Sequence, residues 1–497
     1  MATKEEIVKT VPQKGFFGHP KGLFNLFFTE FWERFSYYGM KALLVYFMYK
    51  SVTDGGLALF DKSTAASIMS IYGSLVYMSG IIGAWIADRI LGTRRTIFWG
   101  GLLIMLGHIC LALPGGATFL FISMVLIILG TGLLKPNVSS VVGDIYSTND
   151  PRRDSGFSIF YMGINLGAFL SPLIVGAVQQ EFQSYHAGFS VAAVGMAIGL
   201  IMFKLSEKKN LGMAGVAPAN PLAKNEIKSI VKKAIISLVI FLVLVLIVYL
   251  KGWLTIGFVI NFFTVIGVLA PISVFIWMFT SKSTKKEEKS HLLAYIPLFI
   301  AGTMFWVIQE QGSTILAIYA DTRTNLEIGS KTISPAFFQS LNPLFIIILA
   351  PIMAALWMKL GNKGPSTPVK FSFSLLFAGA SFLIMVIPAM TSGGTELISP
   401  WWLVLSFFLV VIGELLMSPV GLSATTKLAP EAFAAQAMSL WFLTSTVAQA
   451  INAQLAKVFD KVSEVQYFGY LGGAAIVLFV IMLILCPWIS RKMGSIR

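Results

Sequence analysis

Four ionisable side chains lie inside the first long apolar stretch of the sequence: Glu30, Glu33, Arg34 and Lys41. At about 100° per residue, they share one face of a helix with Tyr37 and Tyr38, within an arc of roughly 140°. A charge at the bilayer centre costs at least about 2.5 to 3.5 kcal/mol, so such side chains normally face a bundle interior or a water-filled cavity. The spacing therefore predicts a polar site on a substrate or proton path through a membrane.

The elements that would position this face are predicted to be membrane-spanning helices. Of the 497 residues, 56% are hydrophobic and 12% are charged, whereas soluble domains are roughly 25% charged. The sequence holds 14 apolar stretches of about 20 residues or more, each long enough to cross the hydrocarbon. They lie near 24–49, 65–90, 96–114, 118–143, 156–178, 187–205, 231–250, 254–280, 291–320, 335–360, 370–390, 400–426, 432–457 and 466–490. We therefore expect an all-α membrane protein.

The distribution of charge predicts the orientation of these helices. Most of the 37 Lys and Arg residues fall in the connections that one orientation places in the cytoplasm. Both termini are therefore predicted to be cytoplasmic, and the net charge of +14 reflects topology and not a nucleic-acid site. The polar segment 1–23 and the long apolar run after it do not fit a signal peptide, so we expect no segment to be removed.

The sequence lacks the residue patterns that redox, metal or hydrolytic chemistry needs. Only two cysteines occur, Cys110 and Cys486, both in apolar stretches, which argues against a disulfide or a thiolate metal site. The four histidines are scattered, and no HExxH or GxSxG motif is present. No stretch forms a repeated ring of pore-lining groups, as a channel would require. We therefore predict neither an enzyme nor a channel, and no metal or cofactor.

Polar stretches divide the chain into six spans, an inserted pair and six more spans. The stretch 204–230 has the Gly, Pro and Lys content of a linker, and a second basic stretch lies near 281–291. The inserted pair carries no acidic residue, so we expect it to be peripheral, lipid-facing and structural. The predicted segments are 1–23 (cytoplasmic N-terminal segment), 24–205 (N-terminal six-helix bundle), 206–230 (cytoplasmic linker), 231–280 (inserted pair), 281–290 (cytoplasmic linker), 291–490 (C-terminal six-helix bundle) and 491–497 (cytoplasmic tail).

The six-plus-six layout is that of the major facilitator superfamily, whose two bundles of inverted three-helix repeats hold a site at the membrane midplane. The connection from Gly83 to Arg95 resembles the cytoplasmic motif of that superfamily. The resemblance implies a gating role for Asp88 and Arg89, with Asp88 helping to latch the inward-facing gate. An ordinary basic connection with a single Asp is the alternative interpretation.

Three further ionisable residues lie deep in apolar sequence: Lys135, Glu310 and Glu414. Without the inserted pair, each falls on the first helix of a three-helix repeat, the position that faces the central cavity in this architecture. The buried carboxylates outnumber the buried cations by one, so one carboxylate lacks a partner. Burial disfavours the ionised form of such a group and a pairing cation favours it, so the set predicts proton coupling.

Charges of both signs with aromatic residues nearby suit a zwitterion that carries variable side chains. The aromatic residues are Tyr37, Tyr38, Tyr77, Trp306 and Trp441. Asn165 and Asn342 could bond to a peptide group, or they could join helices to one another. The cluster Glu30, Glu33 and Arg34 could be purely structural, and His108 could be either a pH sensor or a packed helix residue.

Four motifs resemble signatures of the proton-dependent oligopeptide transporter family, a branch of the major facilitator superfamily. They are EFWERFSYYG from Glu30, which matches an ExxER motif, the segment Gly143 to Gly167, FWVIQEQGST from Phe305 and GELLMSPVGLS from Gly413. The layout of 14 spans with an inserted pair is similar to that of bacterial members. The resemblance covers nearly the whole chain.

The resemblance implies a proton-coupled symporter that imports di- and tripeptides by alternating access. Glu30, Glu33, Arg34 and Lys135 would form a proton-responsive cluster, and Glu310 would be the principal proton site. Lys41 would contact the substrate carboxylate or Glu310, and Glu414 would take the amino group. The substrate-binding residues would be Tyr37, Tyr38, Lys41, Tyr77, Asn165, Trp306, Glu310, Asn342, Glu414, Ser418 and Trp441.

Lys41 departs from the family pattern, because many relatives have Arg at this position. Lys offers a point charge and not a bidentate fork, so weaker binding of the substrate carboxylate is predicted. The resemblance further implies a monomer in the bacterial inner membrane, with peptides, protons and the lipid bilayer as partners. The alternative function is proton-coupled transport of another small zwitterion or anion, such as a peptidomimetic, an amino acid or nitrate.

Overall fold

The computed structural model describes residues 3–147, 149–394 and 396–494, and these residues are almost entirely helical. The helices are α1 (Lys4–Thr10), α2 (Gly22–Tyr49), α3 (Lys62–Ile86), α4 (Thr93–Ala112), α5 (Gly116–Asp144), α6 (Arg153–Glu181), α7 (Tyr185–Leu211), α8 (Lys224–Leu250), α9 (Ile256–Thr280), α10 (Lys286–Glu310), α11 (Ile315–Arg323), α12 (Leu341–Leu360), α13 (Thr367–Thr391), α14 (Trp401–Leu428), α15 (Ala434–Phe459) and α16 (Glu464–Met493). A short antiparallel hairpin pairs β1 (Glu327–Ile328) with β2 (Lys331–Thr332).

Within the described residues, 12 helices are long and apolar enough to cross a membrane. Helix α2 falls outside that set on composition alone, because its charged side chains lower its hydropathy. It is nevertheless 28 residues long, and its charged residues Glu30, Glu33 and Arg34 are buried. The charged helix is therefore held inside the bundle, as its pattern predicts.

Helices α2 to α7 form the first bundle, which we call the N bundle. Helix α2 packs against α6 and α7, and α5 packs against α3 and α4. Glycines permit the closest approaches: a Cβ on Gly83 would overlap the backbone of Gly132, and one on Gly100 would lie 2.7 Å from the carbonyl oxygen of Gly130. Such small-residue contacts are how membrane helices pack without a hydrophobic driving force between them.

Helices α10 to α16 form the second bundle, which we call the C bundle. Helix α13 packs against α14 and α16, and α10 packs against α15. The predicted span 291–320 is not one continuous helix: α10 ends at Glu310, a 3₁₀ turn covers Gln311–Ser313, and α11 begins at Ile315. The break puts Glu310 at the end of a helix in the protein interior.

The inserted pair α8 and α9 lies at the periphery of the molecule. In the most apolar part of α8 no residue is buried inside the protein, and in that of α9 only 17% of the residues are. This agrees with the expectation of lipid-facing helices. The pair is not devoid of polar contacts, however. Gln454 of α15 donates to Thr264 of α9 at 2.8 Å, and Lys457 Nζ donates to Asn261 at 3.0 Å.

The predicted linker after the N bundle is ordered against that bundle. Helix α7 extends past the predicted end at 205, and Ala214 is fully buried. The backbone N–H groups of Asn220 and Leu222 donate to the carbonyl oxygens of Asp88 and Arg89, at 2.9 Å and 3.1 Å. The connection therefore covers the turn that follows α3.

The N-terminal segment also packs on the bundle. Val11 is 2% exposed, and the Arg152 guanidinium donates to the carbonyl oxygens of Gln13 and Gly18. His19 is 7% exposed, and its Nδ1 lies 2.9 Å from the Tyr146 hydroxyl. The segment is thus bound to the end of α5 and to the loop that follows it.

Candidate functional site

A polar cavity of about 260 Å³ lies between the two bundles. Its lining combines carboxylates, cations, amides and aromatic rings from both bundles. The polar and aromatic lining residues are Glu30, Arg34, Tyr37, Tyr38, Lys41, Tyr77, Lys135, Tyr161, Asn165, Trp306, Gln309, Glu310, Ser313, Gln339, Asn342, Phe407 and Glu414. The structure thus brings together most of the ionisable residues that the sequence singles out.

Arg34 joins two carboxylates of its own helix. Its guanidinium donates to both oxygens of Glu33, with Nη2 2.6 Å from Oε1, and its Nε lies 3.3 Å from Glu30 Oε1. None of the three side chains is more than 3% exposed. The guanidinium also lies over the ring of Tyr37, 5.1 Å from its centroid. One cation therefore serves two buried carboxylates.

Glu310 receives bonds from three different helices. Lys41 Nζ of α2 lies 3.0 Å from Oε2, and Gln449 Nε2 of α15 donates to the same oxygen at 2.7 Å. The Tyr77 hydroxyl of α3 donates to Oε1 at 3.2 Å. Both oxygens of the carboxylate are therefore bonded, and one of them faces a cation.

Glu414 has amide partners only, among the residues that the structure describes. Its Oε2 accepts a hydrogen bond from Asn342 at 3.0 Å and one from Gln309 at 3.3 Å. No cation lies within 4.0 Å of this carboxylate in the described part of the chain. Glu414 thus presents a carboxyl group without a cationic partner to the cavity.

Lys135 lines the same cavity. Its Nζ lies 4.7 Å from the centroid of the Tyr77 ring, and among the described residues no ion pair to Glu30, Glu33 or Glu310 is present. The proton-responsive cluster that includes Lys135 therefore stays a prediction. Among the described residues, Lys135 and Glu414 form no ion pair, and both face the same cavity.

Three of the predicted proton-coupling and substrate-binding residues lie away from the cavity lining: Glu33, Ser418 and Trp441. Trp441 is 6% exposed and packs against the Phe371 ring. Asn165 does line the cavity, but its amide donates to the carbonyl oxygen of Tyr161 on its own helix, at 3.0 Å. Pocket roles for Ser418 and Trp441 remain predictions.

The predicted gating residues lie in a π-helical turn that follows α3. Arg89 forms an ion pair with Glu226 at 2.8 Å, near the start of α8. Asp88 is exposed, and its side chain makes no ion pair with the described residues. The structure therefore connects Arg89 to the inserted pair, a partner that the sequence did not suggest.

The residues that the sequence interpretation missed are uncharged. Gln309 and Gln449 bond to the two key carboxylates, and Tyr161 and Gln339 line the cavity. An amide within an apolar span is itself unusual, so the composition around Gln449 could have marked it as a candidate. Its partner could not be predicted, because α15 is distant from α10 in the sequence.

Hydrogen bonds between the bundles concentrate in one half of the molecule. We call it the outer half, because the orientation predicted from the sequence places its connection between α2 and α3 outside the cell. There Lys50 pairs with Asp321 at 2.8 Å, the Tyr49 hydroxyl donates to the same carboxylate, and Tyr46 donates to the carbonyl oxygen of Ala317. In the described part of the opposite half, no hydrogen bond joins the two bundles. The cavity is closed on the outer side.

Two helical bundles around a charged central cavity, closed on one side, define a multi-pass membrane transporter of the major facilitator type. A protein-family model described as PTR2, the POT family, matches residues 94–474. The chain is 61% identical to an uncharacterized transporter YclF of Bacillus subtilis (strain 168), over 99% of both chains. It is 48% identical to a di-/tripeptide transporter of Lactococcus lactis subsp. cremoris, over 98% of this chain and 99% of that one.

The fold agrees with these matches. The crystal structure of a peptide transporter POT in complex with sulfate is 58% identical, covers 100% of both chains and gives a TM-score of 0.97. The chain therefore belongs to the POT family. The family and the transporter class predicted from the motifs are confirmed, and so is the prediction that the protein is not an enzyme.

Proposed function

We propose that the protein is a proton-coupled symporter that imports di- and tripeptides by alternating access. The observation that carries this proposal is the charge arrangement of the cavity: Lys41 is bonded to Glu310, while Glu414 faces the same space with no cation within reach among the described residues. The similarity to a di-/tripeptide transporter of Lactococcus lactis supports peptides as the substrate class. We reject a membrane enzyme, because transport explains the residues of the site without any covalent bond being made or broken.

Glu414 is the binding site that we assign to the ammonium group of the peptide. Its amide partners Asn342 and Gln309 orient the carboxylate without neutralising it. Lys41 and Lys135 supply the positive charge for the terminal carboxylate at the other end. The rings of Tyr38, Tyr77 and Trp306 offer apolar surface that accepts side chains of different shapes.

Proton coupling follows from the two possible partners of Lys41. When Glu310 is ionised it holds Lys41, and when it is protonated the lysine is free to bind the substrate carboxylate. A proton taken up by Glu310 on one side thus favours substrate binding, and its release on the other side favours substrate release. The proton and the peptide move in the same direction.

The setting that we assign is the bacterial inner membrane, with both termini in the cytoplasm and a monomer as the working unit. The excess of basic residues on one side supports this orientation. Under it, closure of the outer half makes the described conformation inward-facing. The exposed apolar surface of α8 supports direct contact with lipid.

Transport by purified protein in liposomes tests the proposal. With an alkaline interior, labelled dialanine should accumulate against its gradient, and peptide should drive proton entry. Without a pH gradient, the peptide should only equilibrate. Absence of peptide-dependent proton entry would refute symport. Competition by free amino acids or nitrate at similar concentrations would favour the alternative substrate classes.

Replacement of the proposed proton site separates coupling from binding. We expect Glu310→Gln to abolish accumulation driven by the pH gradient, because the amide cannot take up and release the proton. Peptide exchange between equal pH on both sides should persist, since it needs no net proton movement. Unimpaired accumulation by this variant would move the proton site to another residue.

A further inference from the structure

Gln449 differs from the other two donors to Glu310 in its place in the fold. Lys41 and Tyr77 reach Glu310 from the N bundle, whereas Gln449 lies on α15 of the C bundle, together with Glu310 itself. Alternating access moves one bundle against the other as largely rigid bodies. Rigid-body opening of the outer half would draw the two N-bundle donors away from Glu310. Among the described donors, Gln449 is the one that moves with it.

A second set of bonds fixes Glu310 and Gln449 relative to each other. Gln311, which follows Glu310, donates through Nε2 to Asn452 Oδ1 at 3.0 Å. The Tyr467 hydroxyl of α16 donates to Gln311 Oε1 at 2.8 Å. Gln311 and Asn452 are 1% and 2% exposed, and all three residues belong to the C bundle. The turn after α10 is therefore hydrogen-bonded to α15, the helix that carries Gln449.

The Gln449 amide can serve both protonation states of Glu310. Its Nε2 donates to the carboxylate, while its Oε1 is buried and has no hydrogen-bond partner among the described residues. A carboxylate needs a donor, and a carboxylic acid needs an acceptor for its O–H. Rotation of the amide by half a turn would exchange one for the other without moving the backbone.

The N bundle leaves room for this side chain when the outer half is closed. Gly73 of α3 lies against it, and a Cβ at Gly73 would be 2.6 Å from Gln449 Nε2. On either side, Ser74 donates to the carbonyl oxygen of Thr446 at 3.0 Å, and Ser67 donates to that of Ala453 at 2.7 Å. Helices α3 and α15 thus meet closely around the amide.

We propose that Gln449 is a positioning residue of the proton-coupling step, which keeps the Glu310 carboxylate bonded while the bundles separate. This inference rests on the proposed symport function. Gln449 would then set how readily Glu310 takes up a proton in the outward-facing state, where Lys41 and Tyr77 no longer reach it. The bond that the amide donates to the ionised carboxylate is charge-assisted, so it is stronger than the bond that the amide would accept from the neutral acid. Loss of Gln449 therefore costs the ionised form more, and uptake should persist to higher external pH.

The test is the dependence of dialanine uptake on external pH, at a fixed alkaline interior. For Gln449→Met, which cannot donate, we expect the midpoint of this dependence to move up by about one pH unit. Gln449→Asn keeps the amide but shortens it by one methylene, so it should shift the midpoint in the same direction. Peptide exchange at equal pH reports how much folded, binding-competent protein each variant supplies, so uptake is normalised to it and only the midpoints are compared.

Gln454→Met is the matched control, since Gln454 lies on the same helix but bonds to α9 and not to Glu310. It should leave the midpoint unchanged. Unchanged midpoints in both Gln449 variants would overturn the inference, and so would an equal shift in Gln454→Met. If the unmodified protein took up no peptide, the proposed function would fail first and this inference with it.

Discussion

At the scale of single residues, Lys41 holds Glu310 through one oxygen only. Its Nζ reaches Oε2 at 3.0 Å, and Tyr77 takes the other oxygen. An ammonium is a point charge, whereas a guanidinium can engage both oxygens of a carboxylate in parallel. The same limit applies to the terminal carboxylate of a peptide, so Lys41 should bind either partner loosely and exchange between them readily.

Lys41→Arg should therefore tighten the binding of the peptide carboxylate. The Glu310 carboxylate would compete for the new guanidinium, so the comparison is made in a Glu310→Gln background. There we expect the KM for dialanine exchange to fall by about three- to tenfold, which is roughly 0.6 to 1.4 kcal/mol. Lys457→Arg is the control, because Lys457 bonds to Asn261 of α9, outside the cavity. An unchanged KM in the Lys41 variant would contradict a carboxylate-binding role.

The ionisable residues of the cavity could be predicted from the sequence, but their pairing could not. A charge inside an apolar span is energetically costly, so it can be recognised in the sequence as a candidate functional residue. Glu310 and Glu414 stand out in this way, while the amides that bond to them, Gln449 and Gln309, cost less and stand out less. Which cation meets which carboxylate depends on helix packing between distant segments, which residue spacing within one helix does not encode.

At the scale of elements, the N-terminal segment shows a contact that composition does not report. Residues 1–23 are polar and are predicted only to form a cytoplasmic segment, and the structure adds that Val11 and His19 are buried against the N bundle. Arg152 makes this docking possible by donating to carbonyl oxygens of the segment. Backbone acceptors carry no sequence signature, so a contact of this kind is invisible in the sequence.

Docking of the N-terminal segment should weaken as the pH falls. Burial and the positive charge of Arg152 lower the pKa of His19 below its ordinary value, although Asp150 opposes this, and the Tyr146 hydroxyl bonds to the ring. The docked state therefore favours neutral His19. As the pH falls, His19 therefore binds a proton in the undocked segment before it does so in the docked one. Its contribution to docking is complete well above about pH 6.5, and below that pH the docking equilibrium constant falls by at most about tenfold per pH unit.

Hydrogen exchange of the backbone N–H groups of residues 11–21, corrected for intrinsic pH dependence, measures this docking. Protection should fall between about pH 7.5 and about pH 5.5. His19→Gln retains polar bonding without titrating, so its protection should vary less with pH. Equal pH dependence in both proteins would assign the effect to another group.

The break between α10 and α11 is a second element that the sequence did not predict. The apolar stretch 291–320 continues across it, so hydropathy indicates one long helix. The turn at Gln311–Ser313 is stabilised by buried side-chain bonds, including the one from Gln311 to Asn452. Tertiary contacts thus override the local helical pattern at the point where the proposed proton site lies.

At the scale of the whole molecule, bonds that cross between the bundles determine which side is closed. The sequence predicts two bundles and a central cavity, because hydropathy and buried charge report on both. It does not predict the conformation, since two states of a transporter differ by only a few kcal/mol. Here the outer half is closed, and Asp321 is the central acceptor there: it bonds to Lys50 and Tyr49, both from the N bundle.

Asp321→Asn should destabilise this closure, because it removes the charge that pairs with Lys50 while preserving size. We expect the outer half to open more often. The distance between spin labels on cysteines introduced at Asp54 and Lys331, on opposite bundles, should then shift to larger values. The native Cys110 and Cys486 are replaced in all variants so that labelling is specific.

Glu464→Gln is the control for Asp321→Asn, because it removes an ion pair of the outer half that does not cross between the bundles. Glu464 pairs with Arg323 at 2.7 Å and accepts a bond from Tyr319, and all three residues belong to the C bundle. Rigid-body opening leaves such a pair intact, so its loss should not change the label distance. An equal increase in both variants would mean that the ion pairs stabilise the outer half only locally. An increase in Asp321→Asn alone would assign closure to the bond that crosses the interface.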